Sequence, residues 1–179
     1  MAAVILKELF QREEIGSGES GQSAMDVTII NPFFQSVVEI VNRMTQIVVT
    51  PGELYLKDHA EAVGDITGYV SVFGALQGGF ALSMPAHLAR TLVGSMLGRK
   101  VTEIDDDVLD EIGELTAQIS RQALAVLKDR GHVFTADVPR IITGEKHSVP
   151  HADGAPILGI PFQTLYGNLH MEICLARLF

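Results

Sequence analysis

Residues 104–126, IDDDVLDEIGELTAQISRQALAV, carry apolar side chains at Ile104, Val108, Ile112, Leu115, Ile119, Ala123 and Val126. Steps of three and four residues place these on one stripe of a helix, which gains stability by facing a sheet. The same count fixes the opposite side. At about 100° per residue, Asp110, Glu114, Ala117 and Arg121 fall in a row toward solvent, with Gln118 beside them. Asp105, Asp106 and Asp107 open the helix, where unpaired N–H groups and the positive end of the dipole favour carboxylates. Three consecutive side chains fan around a helix and do not converge on one ion, so the run reads as a cap and not as a magnesium cluster.

Two more helices precede this one. Asn31-Pro32 reads as an N-cap followed by proline at the first helical position, and Phe34, Val37, Val38, Val41 and Met44 continue at helical spacing. Pro85 opens another helix with Leu88, Leu92 and Met96 on one side, closed by Gly98 as a left-handed cap. Between them, residues 68–74 alternate β-branched and aromatic side chains. Gln77-Gly78-Gly79 is expected to turn the chain into a second strand, residues 80–84. After the long helix, residues 138–143, 157–164 and 169–178 read as strands, with Tyr166-Gly167-Asn168 as a turn. The order predicts an α+β domain: a sheet of about six strands, mixed and largely antiparallel, layered with three helices.

With 179 residues, 47% of them hydrophobic and 20% charged, the chain is sized for one domain with a full core. The domain is expected over residues 25–179. Residues 1–24 read as an extension: Val4, Ile5, Leu9 and Phe10 suit a short amphipathic helix, and residues 16–21, Gly-Ser-Gly-Glu-Ser-Gly, suit a flexible linker. A net charge of −9 argues against unaided nucleic-acid binding, which needs clustered Lys and Arg. The apolar opening is too short for a membrane span or a signal-peptide core. One cysteine, Cys174, excludes an internal disulfide framework and a thiolate metal cage, and the cytoplasm is the expected compartment.

Other candidate chemistry is weak. His147 and His151 are four apart, a ligand spacing that works on a helix, but Pro150 lies between them, so turn or surface roles are expected and no metal site. Ser83, Ser95, Ser120 and Ser148 lack a nucleophile elbow. The glycines of residues 64–68 and 74–79 lack the glycine–lysine ending of a phosphate loop and read as turns or points of close backbone approach. Cys174 sits in an apolar strand pattern and is expected in the core.

Six short motifs in order carry a resemblance. Ile30-Asn-Pro-Phe-Phe34, Gly64-Asp-Ile-Thr-Gly68, Leu92-Val-Gly-Ser-Met-Leu-Gly98, Glu111-Ile-Gly-Glu-Leu-Thr116, Ile142-Thr-Gly-Glu-Lys-His147 and Ile160-Pro-Phe162 together span the domain. They resemble the CheX branch of the CheC/CheX/FliY phosphatase superfamily, chemotaxis proteins with a CheC-like fold. The resemblance implies docking on a phosphorylated CheY-type response regulator and hydrolysis of its aspartyl phosphate. The Mg2+ is supplied by the regulator, and the phosphatase brings no cofactor of its own. Members are similar in carrying a glutamate that anchors on the regulator's lysine and, three residues later, an asparagine that holds the attacking water. An acidic or Ser residue often stands four before the glutamate.

Asp110 and Glu114 match that pattern, which assigns Asp110, Glu114 and Arg121 to partner binding. Ala117 stands at the asparagine position, and a methyl group neither donates nor accepts a hydrogen bond. Gln118 is the one neighbouring amide, a substitute for the water contact if its longer arm reaches across the helix. Arg121 replaces a small residue and is expected either to obstruct the regulator or to pair with its acidic site. The expectation is therefore a regulator-binding domain whose phosphatase activity is weakened or lost. The alternative is a non-catalytic dimeric scaffold in the signalling array or flagellar motor. The resemblance further implies a homodimer formed through sheet edges, for which the apolar residues 169–179 are a candidate.

Overall fold

In a computed structural model, residues 27–177 are described. The extension expected at residues 1–24, with its short helix, lies outside the described residues. Helix α1 (Val27–Thr45) leads into two short strands, β1 (Thr50–Pro51) and β2 (Tyr55–Lys57), and then the hairpin β3 (Ile66–Gly74) and β4 (Leu76–Met84). Helices α2 (Ala86–Leu97) and α3 (Asp106–Asp129) follow, then β5 (Phe134–Ala136), β6 (Arg140–Thr143), β7 (Ile157–Thr164) and β8 (Gly167–Arg177).

The eight strand segments form one sheet six columns wide, in the order β1-β7-β8-β4-β3-β5, with β2 also on β7 and β6 also on β3. Three helices on an α+β sheet were expected. Every strand pair among the described residues is antiparallel, which corrects the mixed sheet. The count exceeds six because each outer column is built from two short segments. Strand β8 pairs with β4 through residues 170–177 and with β7 through residues 167–173, so residues 170–173 are interior and, of the edge expected over residues 169–179, the described part from Cys174 to Arg177 is paired on one side only.

Burial explains the shifted boundaries. Helix α1 begins at Val27, a full turn before the expected Asn31-Pro32 start, and takes Pro32 inside it. Ile29, Ile30 and Phe33 are all buried, and their packing outweighs the hydrogen bond that proline cannot make. Gln77-Gly78-Gly79 lies within β4 and is not the turn. Gly79 faces Tyr69, whose hydroxyl would stand 2.2 Å from a Cβ there, so the glycine admits a ring and does not bend the chain. The second hairpin likewise turns at Leu165-Tyr166, one residue before the expected Tyr166-Gly167-Asn168.

The three helices of the described residues cover one face. Val108, Ile112, Leu115, Ile119 and Ala123 of α3 join Phe33, Phe34, Phe80, Leu82, Phe162 and Met171 in one apolar core. Asp105 caps α3, its Oδ1 accepting from Val108 N at 3.0 Å. Gly98 closes α2 with φ 64° in the left-handed region, as expected. The other face carries a smaller cluster of Ala62, Tyr69, Ala81 and Val149, reached by the connection between β6 and β7.

Candidate functional site

The exposed row on α3 is aimed by a contact between two quoted motifs. A Cβ at Gly68 would stand 2.0 Å from Thr116 Oγ1, so the glycine lets α3 lie directly on β3. Thr116 is fully buried and donates to Ile112 O at 2.7 Å, closing its hydroxyl into the helix. With Thr116 pressed on the sheet, the residues half a turn away face outward.

The rest of the Gly64–Gly68 motif braces the same corner. A Cβ at Gly64 would meet the Met84 carbonyl group at 2.4 Å. Asp65 Oδ2 accepts from Ala86 N at 2.9 Å, serving a free N–H of α2 that Pro85 has no side chain to satisfy. Thr67 Oγ1 lies 2.6 Å from both Ser83 Oγ and His147 Nε2, while His147 Nδ1 reaches Gly144 O at 2.8 Å. A carbonyl only accepts, so Nδ1 donates, and in the neutral ring Nε2 accepts a hydrogen bond from the Thr67 hydroxyl.

On the outward face, Asp110, Glu114 and Arg121 are exposed and Ala117 and Gln118 half-buried, as the periodicity predicts. The Glu114 carboxylate is already engaged. Gln118 Nε2 donates to Glu114 Oε1 at 2.7 Å, and Arg121 donates to the same oxygen at 2.9 Å. Gln118 thus gives one of its two amide N–H groups to Glu114, one helical turn back. Ala117 lies between these three polar side chains as a methyl gap. The Glu114–Arg121 pair was legible as a two-turn spacing, but the sequence reading assigned both side chains to a partner.

Beyond Arg121 the face continues into an open groove of about 440 Å³ between α3 and β5, floored by Leu124, Val133 and Phe134 and edged by Arg121 and Lys128. The sequence reading did not find it, because β5 is only three residues long.

The opposite face of the sheet holds a buried charge cluster that also went unforeseen. Glu172 lies fully buried on β8, its Oε1 2.5 Å from Lys57 Nζ and its Oε2 2.8 Å from His151 Nε2. Lys57 also donates to the Glu61 carbonyl. The turn or surface role expected for His151 is therefore corrected, since its side chain is 1% exposed and clamps the β6–β7 connection onto β8. Burial pushes the Glu172 carboxyl up, but hydrogen bonds from His151 and Lys57 outweigh it and hold the group below the usual range. Cys174 is buried beside it, as expected. Among the described residues no cluster of three or more His, Cys, Asp or Glu is placed to hold a metal, and no helix is long and apolar enough to cross a membrane.

Residues 66–163 match the family model "Chemotaxis phosphatase CheX". The chain is similar to a CheC-like superfamily protein from Shewanella sp. PV-4, at 31% identity and TM-score 0.79, over 85% of this chain and 99% of that one. A chemotaxis protein CheX from Desulfovibrio desulfuricans is 32% identical with TM-score 0.77, over 84% and 100% of the two chains. At 19% identity, a structure described as the CheX–CheY–BeF3–Mg complex from Borrelia burgdorferi shares the fold, with TM-score 0.73 over 83% and 98%. No curated protein matches the sequence.

Proposed function

This chain belongs to the CheX family of chemotaxis phosphatases, and on that premise we propose that it docks on a phosphorylated CheY-type response regulator through the exposed face of α3, with hydrolysis weakened or lost. The observation that carries the reading is the row Asp110, Glu114, Ala117 and Arg121, presented outward by the Gly68–Thr116 contact within the matched residues. The complex of the Borrelia burgdorferi CheX with CheY supports the choice of partner.

The division of labour follows from phosphoryl-transfer chemistry. The regulator brings its own aspartyl phosphate, lysine and Mg2+, so most charge stabilisation precedes docking. What this chain adds is an anchor and a place for water. Glu114 can offer its carboxylate to the regulator's lysine once it exchanges Arg121 and Gln118 for that partner. Ala117 leaves the attacking water unheld, and losing that orientation costs on the order of 10²-fold in rate. Binding is retained where turnover is not. The protein works in the cytoplasm, without nucleic acid or membrane, and as a homodimer its free edges are β1 with β2 and β5 with β6.

Titration of a phosphorylated regulator into the unaltered protein and a Glu114→Ala variant tests the docking face. Saturable binding that weakens at least about tenfold in the variant supports it, the loss expected for a charge-assisted contact. Equal affinity removes it and favours the scaffold.

A further inference from the structure

Two loops, residues 58–65 and 144–156, lie over the smaller cluster on the face of the sheet away from the helices. They are tied to each other. Ala62 N donates to His147 O at 2.8 Å and Val149 N to Ala60 O at 2.7 Å, around a bridge between Glu61 and Ser148. Both loops are also fastened to one side chain. Glu172 Oε1 accepts from Lys57 Nζ, which holds the first loop by donating to Glu61 O, and Glu172 Oε2 pairs with His151 Nε2 of the second. Farther along, the Tyr69 hydroxyl donates to Pro150 O at 2.9 Å, and Ala152 O and Ala155 O lie 3.7 and 3.8 Å from Cys174 Sγ. The second loop is the cover of Cys174.

The apolar contacts beneath the loops are few and separate. Ala62, Tyr69, Ala81 and Val149 share no residue with the main core, so losing them leaves the packing of the helices on the sheet intact. Segments with so little buried apolar surface open at a lower free energy than the whole domain. The polar catch therefore decides how often they do. The second loop leaves β6 through a tight turn, with Gly144 at φ 119° and Lys146 at φ 51°, and Gly144 N donates to Asp65 O at 3.0 Å, which fixes that end to the sheet as a hinge. We propose that the two loops are one strap, latched by Glu172, that opens as a unit and uncovers Cys174 while α1, α2 and α3 stay folded. Lys57 and His151 hold different loops by the same carboxylate, and the bonds between the loops carry the loss of either catch to the other. The inference does not depend on the docking reading.

The test is hydrogen exchange on the full chain, read by mass spectrometry on peptides from both loops and from α3, together with the rate at which N-ethylmaleimide modifies Cys174, the only cysteine. In the unaltered protein both loops are expected to exchange faster than α3, and their exchange and the Cys174 reaction are expected to change little at low urea, because opening a strap exposes little surface. In His151→Ala, which alters the second loop alone, exchange in both loops and modification of Cys174 are expected to rise by a common factor of at least about ten, the loss of one charge-assisted contact. A rise confined to residues 144–156, or none, overturns the proposal. So does loop exchange or Cys174 modification in the unaltered protein that climbs with urea as steeply as exchange in α3, which makes global unfolding the route; this arm decides the matter even where His151→Ala does not fold.

Discussion

Glu114 and Arg121, two turns apart on one exposed helix face, are joined at 2.9 Å through the same carboxylate oxygen that Gln118 reaches at 2.7 Å. The proposed anchor is thus satisfied within its own helix, and docking must exchange those partners. An exposed ion pair is worth at most about 1 kcal/mol, so the exchange is cheap. Arg121→Ala is expected to tighten regulator binding about two- to fivefold, read by titration against the phosphorylated partner. Weaker binding would show that the guanidinium itself contacts the regulator.

The Gly68–Thr116 contact sets how α3 lies on the sheet. A Gly68→Ala methyl would stand 2.0 Å from Thr116 Oγ1, a clash between buried groups that neither element relieves without shifting. Overpacking of this kind costs about 1–3 kcal/mol, expected as a melting temperature lowered by about 2–4 °C per kcal/mol. Adding Thr116→Ala removes the Oγ1 and Cγ2 contacts and is expected to restore part of the loss. No destabilisation in Gly68→Ala would show that the helix seat is loose.

The Lys57–Glu172–His151 cluster predicts acid sensitivity. Glu172 is held below its ordinary pKa in the fold, so on acidification the unfolded chain takes up this proton first. Its contribution is full above the unfolded value of about 4.5 and is lost as pH falls through the folded value. Lys57→Met, which strands a buried carboxylate, is expected to cost about 3–5 kcal/mol at neutral pH, whereas Glu172→Gln flattens the acid limb of stability against pH. Chemical denaturation from pH 3 to 7 reads both, and an unchanged acid limb in Glu172→Gln would assign the sensitivity elsewhere.

The sequence was most legible where one periodicity ran long. Helix α3 showed its buried stripe as far as Ala123, its Asp105 cap and its exposed row because 24 residues repeat one pattern without a breaker, although Leu127 and not Val126 is the buried residue at its end. Strands β1, β2 and β5, of two or three residues each, offer no period to read, and with them went the groove edge and the position of Lys57. Gly79 looked like a turn because a glycine's reason is often another residue, here Tyr69 on the facing strand. The Glu172 cluster joins β2, β8 and a loop through contacts 115 and 21 residues apart in sequence, and no local pattern reports those. The candidate site was found by resemblance, while its closed state, with Glu114 held by Gln118 and Arg121, is a side-chain geometry that composition does not encode.

The most direct test of the central claim is phosphate release from a Mg2+-loaded, phosphorylated regulator of the same cell, with substoichiometric unaltered protein and an Ala117→Asn variant in parallel. The expected result is release at the self-hydrolysis rate with the unaltered protein and faster turnover with Ala117→Asn, by a factor on the order of 10² if the amide restores the water's orientation. Turnover by the unaltered protein well above self-hydrolysis would contradict the account, and its loss in Gln118→Ala would name Gln118 as the residue that holds the water.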